Sequence, residues 1–148
     1  MTQETVRPGK PPRQYTQDFF VYAVEFENLA AGSTAEGNIQ IQADLDFVWK
    51  LGAYFAVNLD IGADPTLDTF PVPPISVQVT DSGSGRNLFN TAIPINQVFG
   101  TGSLPFVLPT ERIFRARSNV QFTVSNEGLA AYSFNLSLIG SKIFNMVG

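Results

Sequence analysis

The chain has 148 residues, of which 44% are hydrophobic and only 15% are charged, and its formal net charge is −4. A chain of this length fits one domain, which can bury about two-thirds of the surface that the unfolded chain exposes. Cysteine and histidine are both absent, which excludes disulfides, thiol nucleophiles, imidazole bases and the usual zinc ligands. We therefore expect a protein that is not an enzyme and that uses no cofactor and no metal.

The low share of charged residues, against the roughly one-quarter usual in soluble domains, indicates a largely neutral surface. Amide side chains on such a surface can form hydrogen bonds across a protein interface without the cost of burying charges. The amides that we expect there are Gln40, Gln42, Asn87, Asn90, Asn96 and Asn126. This composition favours a surface that other subunits cover.

No segment approaches the roughly 20 consecutive apolar residues of a membrane helix, and the N-terminus lacks the apolar centre of a secretory signal. We therefore expect a soluble protein that is made in the cytoplasm and has no membrane partner.

Charge is distributed unevenly along the chain. Residues 1–17 have three bases and one acid (+2), residues 18–81 have one base and ten acids (−9), and residues 82–148 have five bases and two acids (+3). Such a distribution can steer head-to-tail contacts between copies or attract a partner to the acidic part. A solvated surface with a chance asymmetry is the alternative.

Residues 1–17 predict an extended N-terminal arm in front of a β-sandwich domain of residues 18–148. Three prolines in the arm favour extended backbone, and almost nothing in it can be buried before Tyr15. We expect the arm to bind a partner through Arg7, Lys10, Arg13 and Tyr15. A disordered tail is the alternative.

The first half of the domain predicts strands. Residues 19–26 are rich in aromatic and β-branched side chains and stop at turn-forming residues 28–32. Residues 38–43 alternate between apolar and polar side chains, which predicts a strand with one buried face. Residues 45–57 predict one or two further strands with Gly52 at a bulge or bend, and a short helix is the alternative.

Two proline-rich segments predict long loops on either side of a hairpin. Residues 58–74 contain four prolines and predict a long surface loop, and 93–109 predict a second one. Between them, residues 75–80 alternate cleanly and run into the glycine-containing turn 81–85, with 86–89 as the returning strand.

The C-terminal part again predicts strands. Residues 112–117 predict a short strand, and 119–125 and 131–140 predict a hairpin around the turn at 126–128. About eight short strands without a convincing helix or repeat indicate an all-β fold, an antiparallel β-sandwich of jelly-roll type. The predicted core residues are Phe26, Ile39, Ile41, Val77, Val79, Val120, Phe122, Tyr132, Phe134, Leu136 and Leu138.

Carboxylates that share a strand face or a loop are the first candidates for a chemical site. They occur in three groups, namely Asp44 with Asp46, Glu25 with Glu27, and Asp60 with Asp64 and Asp68. Such groups can hold calcium, but none matches a calcium-binding loop, and solvated side chains are the favoured interpretation. The segment 81–86 contains glycines and hydroxyls but lacks the lysine and helix of a phosphate-binding loop, so we predict a hairpin turn.

Basic and aromatic side chains are the candidates for partner binding. Arg112, Arg115 and Arg117 flank Phe114, and two of them, Arg115 and Arg117, are predicted to share a strand face. Because the domain is acidic overall, we expect these arginines to pair with acidic residues of a neighbouring subunit and not with nucleic acid.

Three phenylalanines in the predicted loops are further candidates, namely Phe70, Phe99 and Phe106. Buried aromatic side chains often anchor protein interfaces, so we expect these residues to contact a partner. The alternative is that they cap the open ends of the sandwich.

Several segments resemble the capsid decoration, or cement, proteins of tailed bacteriophages, which have a jelly-roll-like fold. The segments are FENLAAG (26–32), IQIQAD (39–44), TDSGSGR (80–86), FGTG (99–102), PFVLP (105–109) and LIGSKIF (138–144). Together they extend over most of residues 19–144, although none is diagnostic by itself.

The resemblance implies a virion structural protein that is made in the host cytoplasm and cements the outer surface of the assembled capsid. Its expected partners are the major capsid protein and further copies of itself, as a dimer or trimer, without nucleic acid or membrane. In that setting the arm reaches a neighbour, and loops 58–74 and 91–110 grip the shell. The alternatives are another virion component (neck, tail or head-fibre base) and a carbohydrate-binding β-sandwich that uses Tyr54 or Trp49.

Overall fold

A computed structural model describes residues 15–60 and 72–145, with the backbone alone described at both ends of that range, for residues 15–16 and 144–145. The strands in this part of the chain are β1 (Tyr15–Leu29), β2 (Thr34–Gln40), β3 (Asp46–Asn58), β4 (Ile75–Asp81), β5 (Arg86–Asn87), β6 (Ile93–Pro94), β7 (Phe106–Phe114), β8 (Asn119–Asn126) and β9 (Tyr132–Asn145). A single 3-10 turn, Ile95–Gln97, is the only helical element described there. None of the described residues forms a helix long and apolar enough to cross a membrane.

The strands form two antiparallel sheets that pack face to face. Sheet I has the strand order β1-β9-β3-β7, and sheet II has the order β2-β8-β4, with β5 and β6 both pairing with β4. The prediction of an all-β antiparallel sandwich is therefore confirmed.

The pairing is nested from the ends of the chain inward: β1 pairs with β9, β2 with β8, β3 with β7, and β4 with β5. Nested pairs describe one long antiparallel ribbon that is folded over itself, which is the topology of a jelly roll. The pairs β3–β9 and β4–β8 then join the turns of the ribbon within each sheet.

The space between the sheets is a continuous apolar core. All eleven residues predicted for it from alternation are buried. Trp49 and Phe114 are also buried and stack on each other with ring centroids 6.1 Å apart. Side-chain alternation therefore identified the inner face of the strands correctly.

The predicted hairpin between 119–125 and 131–140 is wrong. β8 pairs with β2 and β4 in sheet II, whereas β9 pairs with β1 and β3 in sheet I, so the connection between them crosses from one sheet to the other. Alternation shows that each strand has one buried face, but it does not show which strand lies alongside.

Asn126, which we expected at an interface, lies inside this crossing and is 1% exposed. Its Nδ2 donates hydrogen bonds to the carbonyl oxygens of Leu29 (3.0 Å) and Ala130 (2.7 Å), and its Oδ1 accepts one from the backbone N–H of Gly128 (3.0 Å). One side chain thus joins the ends of β1 and β8 to the crossing segment.

Several boundaries differ from the prediction. β1 begins at Tyr15, inside the predicted arm, while residues 1–14 lie outside the described part. β2 begins at Thr34 and ends at Gln40, earlier than predicted, and β7 begins at Phe106, inside the predicted second loop. At an exposed strand end, pairing with the neighbouring strand decides where the strand begins or ends more than the amino-acid composition of that end does. This explains the shifted boundaries.

The segment 45–57 forms one strand and not the alternative helix. Its irregularity lies between Trp49 and Leu51 and not at Gly52. Gly52 has a different role, because a Cβ atom there would overlap the carbonyl oxygen of Val98, and the Gly52 carbonyl accepts a hydrogen bond from Gly100 (3.0 Å). The glycine allows a loop to approach the strand closely.

The hairpin predicted around the turn 81–85 is confirmed, with Thr80 opposite Asn87 and Asp81 opposite Arg86. Its returning strand is shorter than predicted, because β5 ends at Asn87. The predicted loop 58–74 lies mostly in residues 61–71, outside the described part.

Candidate interaction surface

The outward side of sheet I presents a row of apolar side chains, and the strand register explains why. Val21 lies opposite Ile139, Ile139 opposite Leu51, and Leu51 opposite Val107. Four aliphatic side chains on four neighbouring strands therefore form one row across the whole sheet. Val107, at the end of the row, is 67% exposed.

Further apolar side chains lie on both sides of this row. Phe19 on β1 is 76% exposed and Ile113 on β7 is 54% exposed. At the other end of the sheet, Phe55 (65% exposed) and Val57 line a shallow depression of about 180 Å³ together with Glu25 and other residues of β1 and β9.

We call this surface the apolar face. Its members are Phe19, Val21, Leu51, Phe55, Val57, Val107, Ile113 and Ile139. Exposed apolar side chains that group on one surface often mark interaction sites.

The outward side of sheet II has the opposite character. Its strands present polar side chains, which bond to one another across the strands: Asn119 to Asn38 (2.9 Å), Gln121 to Glu36 (3.0 Å), and the hydroxyls of Thr34 and Ser125 (3.0 Å). We call this surface the polar face. Among the described residues, large exposed apolar side chains group on the outer side of sheet I and not on the polar face, so the apolar face is the candidate interaction surface.

The sequence contains a signal for the apolar face that we did not use. Residues 19–24 and 51–57 are apolar at both odd and even positions, which indicates apolar side chains on both sides of a strand. The signal was missed because a strand buried on both sides has the same pattern.

The structure describes some of the predicted partner-binding residues and not others. Arg7, Lys10, Arg13 and Phe70 lie outside the described residues. The backbone of Tyr15 belongs to β1, where it pairs with Asn145.

The loop phenylalanines have different positions. Phe99 is fully buried and stacks on Trp49 at 5.8 Å, so it caps the interior, as the alternative interpretation proposed. Phe106 is half-buried and lines a pocket of about 380 Å³ next to Leu108 and Arg112. Of these two, only Phe106 is accessible to a partner.

The three arginines are separated as well. β7 ends at Phe114, so Arg115 and Arg117 lie in a turn and do not share a strand face as predicted. Arg115 is exposed and lies 3.6 Å from Asp46. Arg117 is also exposed and has a φ of +70°.

Arg112 joins the two sheets. Its Nη2 lies 3.2 Å from Oδ2 of Asp81, a buried carboxylate on β4, and 3.3 Å from the hydroxyl of Ser84. Asp81 also accepts a hydrogen bond from the backbone N–H of Gly83 (2.9 Å). The segment 81–86 is thus a tight turn that is stabilised by its own aspartate, Asp81. We predicted a hairpin turn there and not a phosphate-binding loop.

Arg112→Met should lower the free energy of unfolding by about 2 kcal/mol, because it leaves the buried Asp81 carboxylate without its cationic partner. Arg115→Met is the matched control, since that side chain is 80% exposed and pairs in solvent; its effect should stay within about 0.5 kcal/mol. Urea unfolding measures both. Equal losses in the two variants would show that the Arg112 pair contributes no more than a surface pair.

Two of the acidic candidates, Asp46 and Asp60, form hydrogen bonds to backbone N–H groups. Asp46 accepts a hydrogen bond from the N–H of Ala116 (2.9 Å), and Asp60 accepts one from the N–H of Ala131 (2.9 Å). Within residues 15–60 and 72–145, no group of three or more acidic side chains is placed to hold a metal ion. Asp64 and Asp68 lie outside these ranges.

Of the two aromatic residues expected for sugar binding, Trp49 is buried and Tyr54 is half-buried. Trp49 is 1% exposed, and its indole N–H donates to the carbonyl oxygen of Leu51 (2.6 Å). Tyr54 packs against the core, and burial raises the pKa of its hydroxyl above the ordinary value. Since Trp49 has no free ring face, it cannot stack on a sugar ring.

Comparisons with known proteins add little. No family model matches the chain, and no curated protein matches it. Among solved structures, the chain is similar to the crystal structure of the infectious bursal disease virus VP2 subviral particle, with 9% identity and a TM-score of 0.30 over 99% of this chain and 42% of that chain. The chain therefore spans less than half of that protein. A TM-score this low supports no conclusion, so the jelly-roll assignment rests on the strand pairing.

Proposed function

We propose that this chain is a structural protein of a virus particle that binds the outer surface of an assembled bacteriophage head and cements its subunits. The observation that supports this most is the apolar face of sheet I, which lies on a monomer whose other outer surface is polar. The jelly roll is a fold of capsid and lectin domains. The resemblance of the sequence to phage decoration proteins points in the same direction.

In this proposal the apolar face lies against the major capsid protein. Burial of apolar area supplies the affinity, at roughly 25 cal/mol per Å² before the costs of association. Each contact can be weak, because many copies on one shell act together. A site that exists only where capsid subunits meet would restrict binding to assembled shells. Because the protein would then bind the assembled state and not the separate subunits, its binding would stabilise the shell.

Other parts of the chain contribute to the same contact. The part of the predicted arm that precedes β1, residues 1–14, reaches a neighbouring subunit, and the segments 58–74 and 91–110 grip the shell. Phe106 is available for this role because it lines an open pocket next to β7.

Phe55→Asp should weaken binding to heads assembled without this protein by about tenfold or more, because it buries a charge in an apolar contact. Phe55 is 65% exposed, so the variant should still fold. Asn38→Asp is the matched control, since it adds the same charge to the exposed polar face, and it should bind like the unmodified protein. Co-sedimentation with purified heads measures the affinity.

Each outcome decides one part of the proposal. Binding of the unmodified protein to heads, but not to tails, supports the head assignment. Particle images that place the protein at the neck or tail would agree with a virion role but would overturn the assignment to the head. No binding to any particle would overturn both. If Phe55→Asp binds as well as Asn38→Asp, the apolar face is not the contact.

A further inference from the structure

The two sheets end in edge strands, and most of these edges are protected against pairing with another chain. β7 contains Pro109 and its register with β3 breaks between Trp49 and Leu51. β5 and β6 have two residues each, and β6 ends in Pro94. β2 has seven residues, with Gly37 at its centre. Proline, broken register, short length and glycine all weaken an edge as a template for pairing.

β1 is different. It has 15 residues without proline or lysine, and its pairing with β9 is regular from Tyr15 to Phe26. No other strand of the described residues pairs with its second edge. It therefore presents a long row of backbone N–H and C=O groups, with Phe19 exposed beside them.

We propose that β1 pairs antiparallel with β1 of a second copy of this chain. In a two-fold symmetric dimer both subunits contribute the same unprotected edge. The free backbone N–H and C=O groups of each β1 can therefore form hydrogen bonds with those of the other β1. This contact joins two four-stranded sheets into one of eight strands and joins two apolar faces into one surface. The dimer does not depend on the proposed function.

Side chains select the register of this pairing. An axis at Phe19 brings the exposed Phe19 rings of the two copies together, and a cross-strand aromatic pair is favourable. An axis between Val21 and Tyr22 would instead place Asp18 opposite Glu25, which is unfavourable.

Sedimentation equilibrium tests the dimer directly. The unmodified protein should have twice the monomer mass of 16.1 kDa, and Phe19→Lys should raise the dissociation constant by about tenfold or more, because it places two ammonium groups at the axis. Val107→Lys is the matched control, since Val107 is exposed on the opposite edge of the same sheet, and it should leave the dimer unchanged.

A further experiment tests the register. Since the chain has no cysteine, a single introduced cysteine reports one contact. Phe19→Cys should form a disulfide-linked dimer under mild oxidation, because opposite antiparallel residues lie within disulfide reach, and Val107→Cys should not.

A monomer at the highest soluble concentration would overturn the inference, as would a dimer that Phe19→Lys does not affect. Failure of cross-linking at Phe19 would overturn the register. These results are separable from the function. A monomer that binds heads overturns only the dimer, and a dimer that binds no particle overturns only the proposed function.

Discussion

Asn126→Asp should lower the free energy of unfolding by about 4 kcal/mol at pH 7. The side chain is 1% exposed, and its Nδ2 donates to the carbonyl oxygens of Leu29 and Ala130. Aspartate has the same shape but replaces this donor with an acceptor. The change therefore removes two hydrogen bonds and places a negative charge against two carbonyl dipoles in a dry site.

The loss should depend on pH with a defined sign. Burial and the two carbonyl oxygens raise the pKa of the introduced carboxyl above its value in the unfolded chain. The neutral form is therefore favoured in the folded state, so the variant is most stable below the unfolded pKa and loses stability as the pH rises through the folded pKa. Urea unfolding of the variant and the unmodified protein, at about pH 4 and pH 7, measures the difference.

Asn90→Asp is the matched control, because Asn90 is exposed and a charge there stays hydrated. Its effect should stay within about 0.5 kcal/mol at both pH values. If Asn126→Asp has an equally small effect, or a larger effect at acidic pH than at neutral pH, then Asn126 does not hold the crossing between the sheets as described.

Gly140→Ala should lower the free energy of unfolding by about 3 kcal/mol, the upper end of the usual cost of overpacking. Gly140 lies in β9, opposite Trp49 of β3, where the register of β3 shifts. A Cβ atom at this position would overlap the carbonyl oxygen of Val48 and approach the Phe47 ring at 3.2 Å. The obstacle is backbone in the middle of sheet I, which cannot move without breaking the β3–β9 pairing.

Gly102→Ala is the matched control, because nothing lies within 4 Å of the Cβ position and the residue is exposed. Guanidinium unfolding should show a change of less than about 0.5 kcal/mol for this variant. A similarly small change for Gly140→Ala would mean that β3 and β9 do not approach each other as closely as described.

The candidate surface was only partly predictable. Residues 19–24 and 51–57 have apolar side chains at every position, or nearly so, and the sequence alone cannot distinguish a strand covered on both sides from one with an apolar outer face. The loop phenylalanines show the same limit. Phe99 and Phe106 occur in similar proline- and glycine-containing contexts, yet one is fully buried and the other lines an open pocket.

Ion pairing was also decided by the fold. Arg112 and Arg115 are three residues apart, but Arg112 contacts Asp81 and Arg115 contacts Asp46, residues that are 31 and 69 positions distant in the chain. Which arginine meets a buried carboxylate depends on how β7 lies over β4 across the core. No local pattern carries that information.

By itself the sequence determined the fold class, the inner face of the strands and the hairpin at Asp81, because alternation and turn residues act over a few neighbouring positions. Only the tertiary structure decided that β8 and β9 lie in different sheets, that Asn126 is buried between them and that sheet I has an apolar outer side. These features depend on which strands lie side by side. Many pairings satisfy the same alternation, and the packing of the whole chain selects one of them.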